Sequence, residues 1–173
     1  AIEAEVVAQH LAAAIRFPTI SFSSDPAQLQ TAAFEALHGW LGQSYPLLHR
    51  SLTQERVGGH SLLYTWQGSD ARLEPILLLA HQDVVPADNA ERWSRPPFEG
   101  RIEDGFVWGR GAVDDKASLV AICEAVERLL ADGYTPKRTV LLAFGHDEEV
   151  GGARGAGEIA KLLARRIDCV RER

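Results

Sequence analysis

The sequence predicts an α/β fold in three layers, with a mostly parallel central sheet and helices on both of its faces. Two short apolar runs, residues 76–80 and 139–144, have the pattern of strands buried on both faces. Between them, residues 115–130 carry apolar side chains at helical spacing, and Gly133 supplies a C-terminal stop. Sheets of this kind bind ligands at the carboxyl ends of their strands.

Length and charge narrow the possible functions. The 173 residues fit one domain, and 46% hydrophobic residues are ample for a core. Lys and Arg total 18 against 24 Asp and Glu, which gives a formal charge of -6. An acidic chain without a basic block binds nucleic acid and anionic membranes poorly. We therefore expect no nucleic-acid partner, and we expect no membrane span because no apolar run approaches the ~20 residues that a span requires.

Cysteine usage and the first residue say little about the compartment. Cys123 and Cys169 are too few and too far apart for a disulfide framework or a cysteine-type zinc site, and we expect Cys123 in the core. The chain begins at Ala1 and contains no Met, which predicts either a processed N-terminus or a piece of a longer protein. The compartment stays open, with a soluble cytoplasmic protein slightly favoured.

Two helices are predicted in the first third of the chain. Residues 2–16 place apolar side chains on one stripe, and Pro18 closes that helix. A second helix is predicted over 27–41, after the start signal at Asp25. We interpret both as scaffold.

The middle of the chain predicts two strands and a long loop. Residues 47–57 and 62–66 alternate loosely, and the Gly58-Gly59 turn separates them. Residues 84–108 show no regular pattern, but their aromatic and proline residues favour an ordered loop. Loops of this length inside a compact domain are usually functional.

The C-terminal part predicts a short helix over 158–163. Glycines precede it, but their spacing matches neither the dinucleotide fingerprint nor the nucleotide-phosphate motif, so we assign them to turns and packing. Residues 167–170 could begin a further strand.

Three polar clusters mark a candidate metal site. The first apolar run ends at His81 and Asp83, the 115–130 helix begins after Asp114, and the second run ends at Glu148 and Glu149. Because strand ends and helix starts of this kind share one edge of an α/β sheet, the clusters can converge there. Imidazole and carboxylate groups together favour a divalent metal. Taken singly, each has a plainer interpretation as a hydrogen-bonded histidine, a helix cap or a solvated acidic turn.

Four motifs, in this order and spacing, resemble those of the zinc-dependent exopeptidase and aminoacylase family. They are most similar to the branch of carboxypeptidase S and the N-acyl amino acid hydrolases, and the resemblance covers roughly residues 1 to 165. The motifs are Ala80-His81-Gln82-Asp83-Val84-Val85-Pro86, Trp93 with Pro96-Pro97-Phe98-Glu99-Gly100, Gly109-Arg110-Gly111-Ala112-Val113-Asp114-Asp115-Lys116, and Gly145-His146-Asp147-Glu148-Glu149-Val150-Gly151-Gly152.

The resemblance implies a role for each of five residues. His81 would be a ligand of one zinc ion, and Asp83 would hold its imidazole in the right tautomer. Asp114 would bridge two zinc ions, Glu149 would bind the other ion, and Glu148 would be the general base. The complete site would hold two zinc ions, with Co²⁺ or Mn²⁺ as alternatives. The remaining motif residues are expected in packing or in support of the loop: Arg110, Asp115, Lys116, His146 and Asp147.

The implied activity is hydrolysis of an amide bond at a peptide C-terminus or in an N-acyl amino acid. Bound zinc lowers the pKa of its water towards ~7, and a carboxylate that is not a ligand can take up the proton and pass it to the leaving amine. The alternative is a catalytically incomplete α/β domain that binds metal weakly or binds a partner, with an exposed apolar face.

The chain also departs from the family pattern. In the family each zinc ion takes a further ligand from downstream, and an inserted smaller domain helps to pair the subunits. Residues 1–173 contain neither feature, so we expect them to be the N-terminal portion of a catalytic domain whose full-length form pairs into a homodimer. On these residues alone, each metal would lack the three protein ligands usual in catalytic zinc sites.

Overall fold

The computed structural model describes residues 3–171, with the side-chain surroundings of all of them except 90 and 167–171. These residues form five α-helices and six strands: three helices come first, five strands follow, and a helix, a strand and a helix come last. The helices are α1 (Ala4–Ile15), α2 (Thr31–Ser44), α3 (Pro46–Ser51), α4 (Lys116–Ala131) and α5 (Ala156–Arg171). The strands are β1 (Thr53–Val57), β2 (Ser61–Trp66), β3 (Ile76–His81), β4 (Arg101–Glu103), β5 (Phe106–Trp108) and β6 (Val140–Gly145).

Four strands form the central sheet in the order β1-β2-β6-β3. Only β3 and β6 are parallel, while the β1–β2 and β2–β6 pairs are antiparallel. The α/β class is confirmed, but the sheet is mixed rather than mostly parallel. The reason is local, because the tight Gly58-Gly59 turn joins β1 to β2 as a hairpin, and a hairpin pairs antiparallel.

The core lies on both faces of this sheet, as a three-layer fold requires. Side chains alternate along β2, so Leu62 and Tyr64 face helices α1 to α4 while Leu63 faces α5. The same alternation holds in β6, where Leu142 belongs to the larger cluster and Ala143 to the smaller one. None of the described helices is long and apolar enough to cross a membrane.

Strand β3 is less buried than its apolar sequence predicts. Its first four residues, Ile76–Leu79, are each between 37% and 61% exposed, whereas Ala80 and His81 are buried. Among the described residues β3 pairs with β6 alone, so its other edge is open. The prediction of burial on both faces was therefore wrong for this strand, and it fits β6 better, where only Leu141 is partly exposed.

Between β3 and α5 lies an apolar groove of about 380 Å³, which we call the β3–α5 groove; its lining includes Leu77, Leu79, Ala143, Ile159 and Leu163.

Several predicted boundaries change. Residues 46–51 are helical rather than extended, since Pro46 suits a first helical turn and Glu127 of α4 accepts hydrogen bonds from the first free amides, those of Leu47 and Leu48. The loop at 84–108 contains the β4–β5 hairpin, whose Asp104-Gly105 turn has positive φ angles of 54° and 79°. Residues 167–170 continue α5 and do not begin a strand.

Candidate metal centre

The carboxyl ends of β3 and β6 meet at one edge of the sheet. The parallel register sets His81 opposite Gly145, the last residues of the two strands. After β6, residues Glu148–Val150 form a single 3-10 turn, which brings two glutamates back towards β3. Asp114 approaches from the third side, just before α4 begins.

Three potential ligands converge at this edge. One nitrogen of His81 and one carboxylate oxygen each from Asp114 and Glu149 all lie within 4.8 Å of one another. The Nε2 atom of His81 is 2.9 Å from Oδ1 of Asp114. Glu148 lies just outside this set, with Oε2 at 3.8 Å from the same nitrogen. The structure thus brings together all four residues from three separate segments of the chain.

The ring of His81 is oriented by its other nitrogen. Its Nδ1 atom lies 3.0 Å from the backbone oxygen of Asp83 and 3.3 Å from the carboxylate Oδ1 of that residue. Since both neighbours are acceptors, Nδ1 carries a hydrogen, and Nε2 is the atom directed at Asp114 and Glu149. Burial alone would lower the pKa of His81, but hydrogen bonds and charge from Asp83 and Asp114 outweigh it and raise the pKa to about 9.

Asp83 connects the two strand ends. Its side chain is fully buried, and its two oxygens each accept a hydrogen bond of 3.1 Å, one from the amide of Glu148 and one from the amide of Glu149. Burial would raise the pKa of this carboxyl group, but hydrogen bonds from His81, Ser21 and the Glu149 amide hold it below its usual range. The sequence points to contact with His81 only; the link to the two glutamate amides crosses 65 residues and leaves no local pattern.

The electrostatics of the cluster favour a cation. Burial raises the pKa of Glu149, and the nearby carboxylates of Asp114, Asp83 and Glu148 raise it further. A divalent ion would offset this repulsion, and one imidazole with carboxylates is a donor set that zinc accepts. The residues present therefore fit a metal of the kind that the sequence predicts.

Neighbouring motif residues hold the loops around the cluster. Asp115 accepts a hydrogen bond of 3.3 Å from the His81 amide, so one expected support residue does contact a ligand residue. The amine of Lys116 instead donates to two carbonyl groups at the end of α1. Asp147 accepts from the amides of Arg154 and Gly155, which shapes the turn after β6. The guanidinium of Arg110 stacks 5.0 Å above the ring centre of Trp93.

Comparison with protein families identifies a match to the C-terminal part of this chain. The model described as peptidase family M20/M25/M40 matches residues 77–172, which include every candidate ligand. That match extends over more than half of the sequence.

Individual relatives are named as carboxypeptidases or as an N-fatty-acyl-amino acid synthase/hydrolase. Probable carboxypeptidase S-like 2 of Dictyostelium discoideum is 46% identical over 158 residues, covering 91% of this chain and 30% of that protein. Carboxypeptidase S of Saccharomyces cerevisiae is 42% identical in an alignment that covers 91% of this chain and 29% of that protein. N-fatty-acyl-amino acid synthase/hydrolase PM20D1 of Mus musculus is 45% identical in an alignment that covers 95% of this chain and 32% of that protein. The chain thus spans about a third of the length of these relatives.

Solved structures share the fold. Human carnosine dipeptidase 1 superposes with a TM-score of 0.67 at 21% identity, over 87% of this chain and 33% of its own. The metallo-carboxypeptidase Sso-CP2 of Sulfolobus solfataricus superposes with a TM-score of 0.62 at 25% identity, over 80% of this chain and 30% of its own.

Proposed function

Because this chain belongs to the M20/M25/M40 peptidase family, we propose that it forms the metal-binding part of a hydrolase that cleaves amide bonds. The observation that carries the proposal is the convergence of His81, Asp114 and Glu149, whose ligand atoms lie within 4.8 Å of one another. The proposed substrates are peptides cleaved at the C-terminus or N-acyl amino acids, in line with the names of the similar proteins from yeast and mouse.

His81, Asp114 and Glu149 would hold the metal, with Asp114 between two ions where a pair is bound. Zinc is the proposed metal, with Co²⁺ or Mn²⁺ as alternatives that the same donors accept. When bound, such an ion lowers the pKa of water and polarises the carbonyl group of the substrate.

Glu148 is the proposed general base. Its side chain is 58% exposed, it is 3.8 Å from His81 Nε2, and it lies outside the set of three ligand atoms. A carboxylate in that place can take a proton from the attacking water and later deliver it to the leaving nitrogen. Asp83 supports this role because it fixes the backbone of both glutamates through their amides.

Residues 1–173 are proposed to be the N-terminal portion of a longer catalytic domain. The supporting facts are the coverage of about a third of each relative and the open edge of β3. In the whole protein, residues outside this chain would complete the metal ligands, and an inserted domain would pair two subunits.

The general-base proposal is tested by Glu148→Gln in a form of the protein that hydrolyses an N-acyl amino acid. We expect kcat to fall by about 10²- to 10⁴-fold, because the amide cannot accept the proton, while the zinc content stays unchanged. Glu149→Gln is the matched control one residue away, and it should reduce zinc binding as well as turnover. Turnover of Glu148→Gln at the original rate would overturn the assignment.

A second candidate is a module that binds metal weakly and associates with a partner without hydrolysing anything. The exposed apolar residues of β3 and the adjacent groove favour it. The two candidates differ in one assay: only the first predicts amide hydrolysis in a longer form of the protein.

A further inference from the structure

Gln82 stands between two site residues, but its side chain points into the protein. In an extended segment, neighbouring side chains alternate, so those of His81 and Asp83 face the site while that of Gln82 faces away from it. Gln82 is fully buried. A buried amide without hydrogen-bond partners destabilises a protein, so the partners of Gln82 show what holds it there.

All the polar groups of Gln82 are paired. Its side-chain nitrogen donates to the backbone oxygens of His60, at 2.9 Å, and Phe144, at 2.8 Å. Its backbone amide donates to the oxygen of Gly145 at 2.8 Å, and its backbone oxygen accepts from the hydroxyl of Thr19 at 2.6 Å. These contacts attach the end of β3 to the end of β6, to the β1–β2 turn and to the segment after α1.

The remaining atom, Oε1, contacts His38 of α2. The distance from His38 Nε2 is 2.6 Å. Because the amide nitrogen already faces two carbonyl groups, the amide cannot be flipped, and its oxygen can only accept. Nε2 of His38 must therefore carry the hydrogen. Burial lowers the pKa of His38, so the ring is neutral, and its Nδ1 has no hydrogen-bond partner among the described residues.

We propose that Gln82, held by the Nε2–H group of His38, is a positioning residue that sets the places of His81 and Asp83 in the metal site. The inference rests on the proposed function, because it concerns the same site. A shift of Gln82 would move the His81 ring relative to Asp114. It would also move the Asp83 carboxylate, which accepts hydrogen bonds from the backbone amides of Glu148 and Glu149. One buried hydrogen bond would thus affect four site residues without touching the metal or the substrate.

Two substitutions at position 38 separate this role from simple core packing. His38→Gln keeps an N–H donor near the position of Nε2, whereas His38→Leu removes it at similar volume. We expect His38→Leu and Gln82→Leu to weaken zinc binding about tenfold or more, as lost support of metal ligands typically does. His38→Gln should stay close to the original affinity. Val126→Ala, a buried change in α4 away from the site, is the control for lost stability alone.

A second readout needs no metal. Hydrogen exchange at the amides of Glu148 and Glu149 reports on the Asp83 carboxylate, and we expect it to become about tenfold faster in His38→Leu but not in His38→Gln or Val126→Ala. Unchanged exchange and zinc affinity in His38→Leu, or equal changes in Val126→Ala, would overturn the proposal. His81→Ala separates the two claims: if it leaves zinc affinity unchanged, the metal site itself is wrong, and amide exchange still decides the role of Gln82.

Discussion

At the scale of single residues, a proton and a metal ion bound at the proposed site would compete for the same nitrogen of His81. With a pKa of about 9, the imidazole is protonated at neutral pH in the metal-free protein, and Nε2 donates to Asp114. The folded pKa lies above the unfolded value of about 6.5. This interaction therefore stabilises the metal-free fold fully below pH 6.5, and the contribution is lost as the pH rises through about 9.

Metal binding should release that proton. We expect calorimetric titration with zinc at pH 7, repeated in buffers of different ionisation enthalpy, to report about one proton released per chain. Between pH 6 and 8 the apparent affinity should rise by up to about tenfold per pH unit. An affinity that does not depend on pH over this range would contradict the assignment of His81 as a ligand.

The sequence predicts the proposed ligand residues better than the residues that hold them in place. His81, Asp114 and Glu149 follow recognisable strand and helix signals, so their convergence could be expected before the fold was known. The contacts of Gln82 with His38, and of Asp83 with the glutamate amides, could not. They join positions 44 and 65 residues apart, and such pairing depends on the assembled sheet rather than on any local pattern.

At the scale of elements, strongly periodic segments were predicted and context-dependent ones were not. The amphipathic pattern of α4 and the apolar run of β6 determine these elements locally. Helix α3 forms instead because Glu127 of α4 satisfies its first amides, a partner that lies about 80 residues away. The position of strand β3 in the sequence was predicted correctly. Its burial was not, because burial depends on a neighbour at each edge and β3 pairs only with β6 among the described residues.

Lys116 joins two of these elements. It is fully buried at the start of α4, and its amine donates to the carbonyl groups of Ala14, at 2.8 Å, and Phe17, at 2.5 Å. Burial lowers its pKa to about 7, so the amine can lose its charge and still keep both hydrogen bonds. The residue therefore fixes the end of α1 against the segment that carries Asp114.

Lys116→Met should destabilise the protein by about 1–3 kcal/mol in urea unfolding, because the carbonyl groups of Ala14 and Phe17 each lose the hydrogen bond from this buried amine and keep only a backbone amide donor. The matched control is Lys161→Met, which breaks only an exposed pair with Glu158 on α5. That change should cost less than about 0.5 kcal/mol. Equal effects at the two positions would contradict the role of Lys116.

At the scale of the whole molecule, the edge of β3 that is unpaired among the described residues is a surface open to association. Apolar strands with an unpaired edge attract other strands, and proteins usually cover them. Here Leu79 is 61% exposed and lines the β3–α5 groove next to the candidate site. We expect the isolated chain to self-associate through this edge.

Leu79→Lys should reduce this association without loss of thermal stability, since the side chain is already largely in water. Sedimentation velocity at several concentrations measures the effect. Leu129→Lys on α4, where the leucine is 38% exposed, is the control and should leave association unchanged. A chain that is monomeric at all concentrations before substitution would show that the edge is not adhesive.

The central claim, that His81, Asp114 and Glu149 form a metal site, is tested most directly by a zinc titration of a form of the protein that hydrolyses an N-acyl amino acid, because residues outside this chain would complete the metal ligands. We predict saturable binding that is lost in His81→Ala and in Glu149→Ala but retained in Glu74→Ala, an exposed glutamate before β3. Binding that is absent, or equally strong in all four proteins, would contradict the claim.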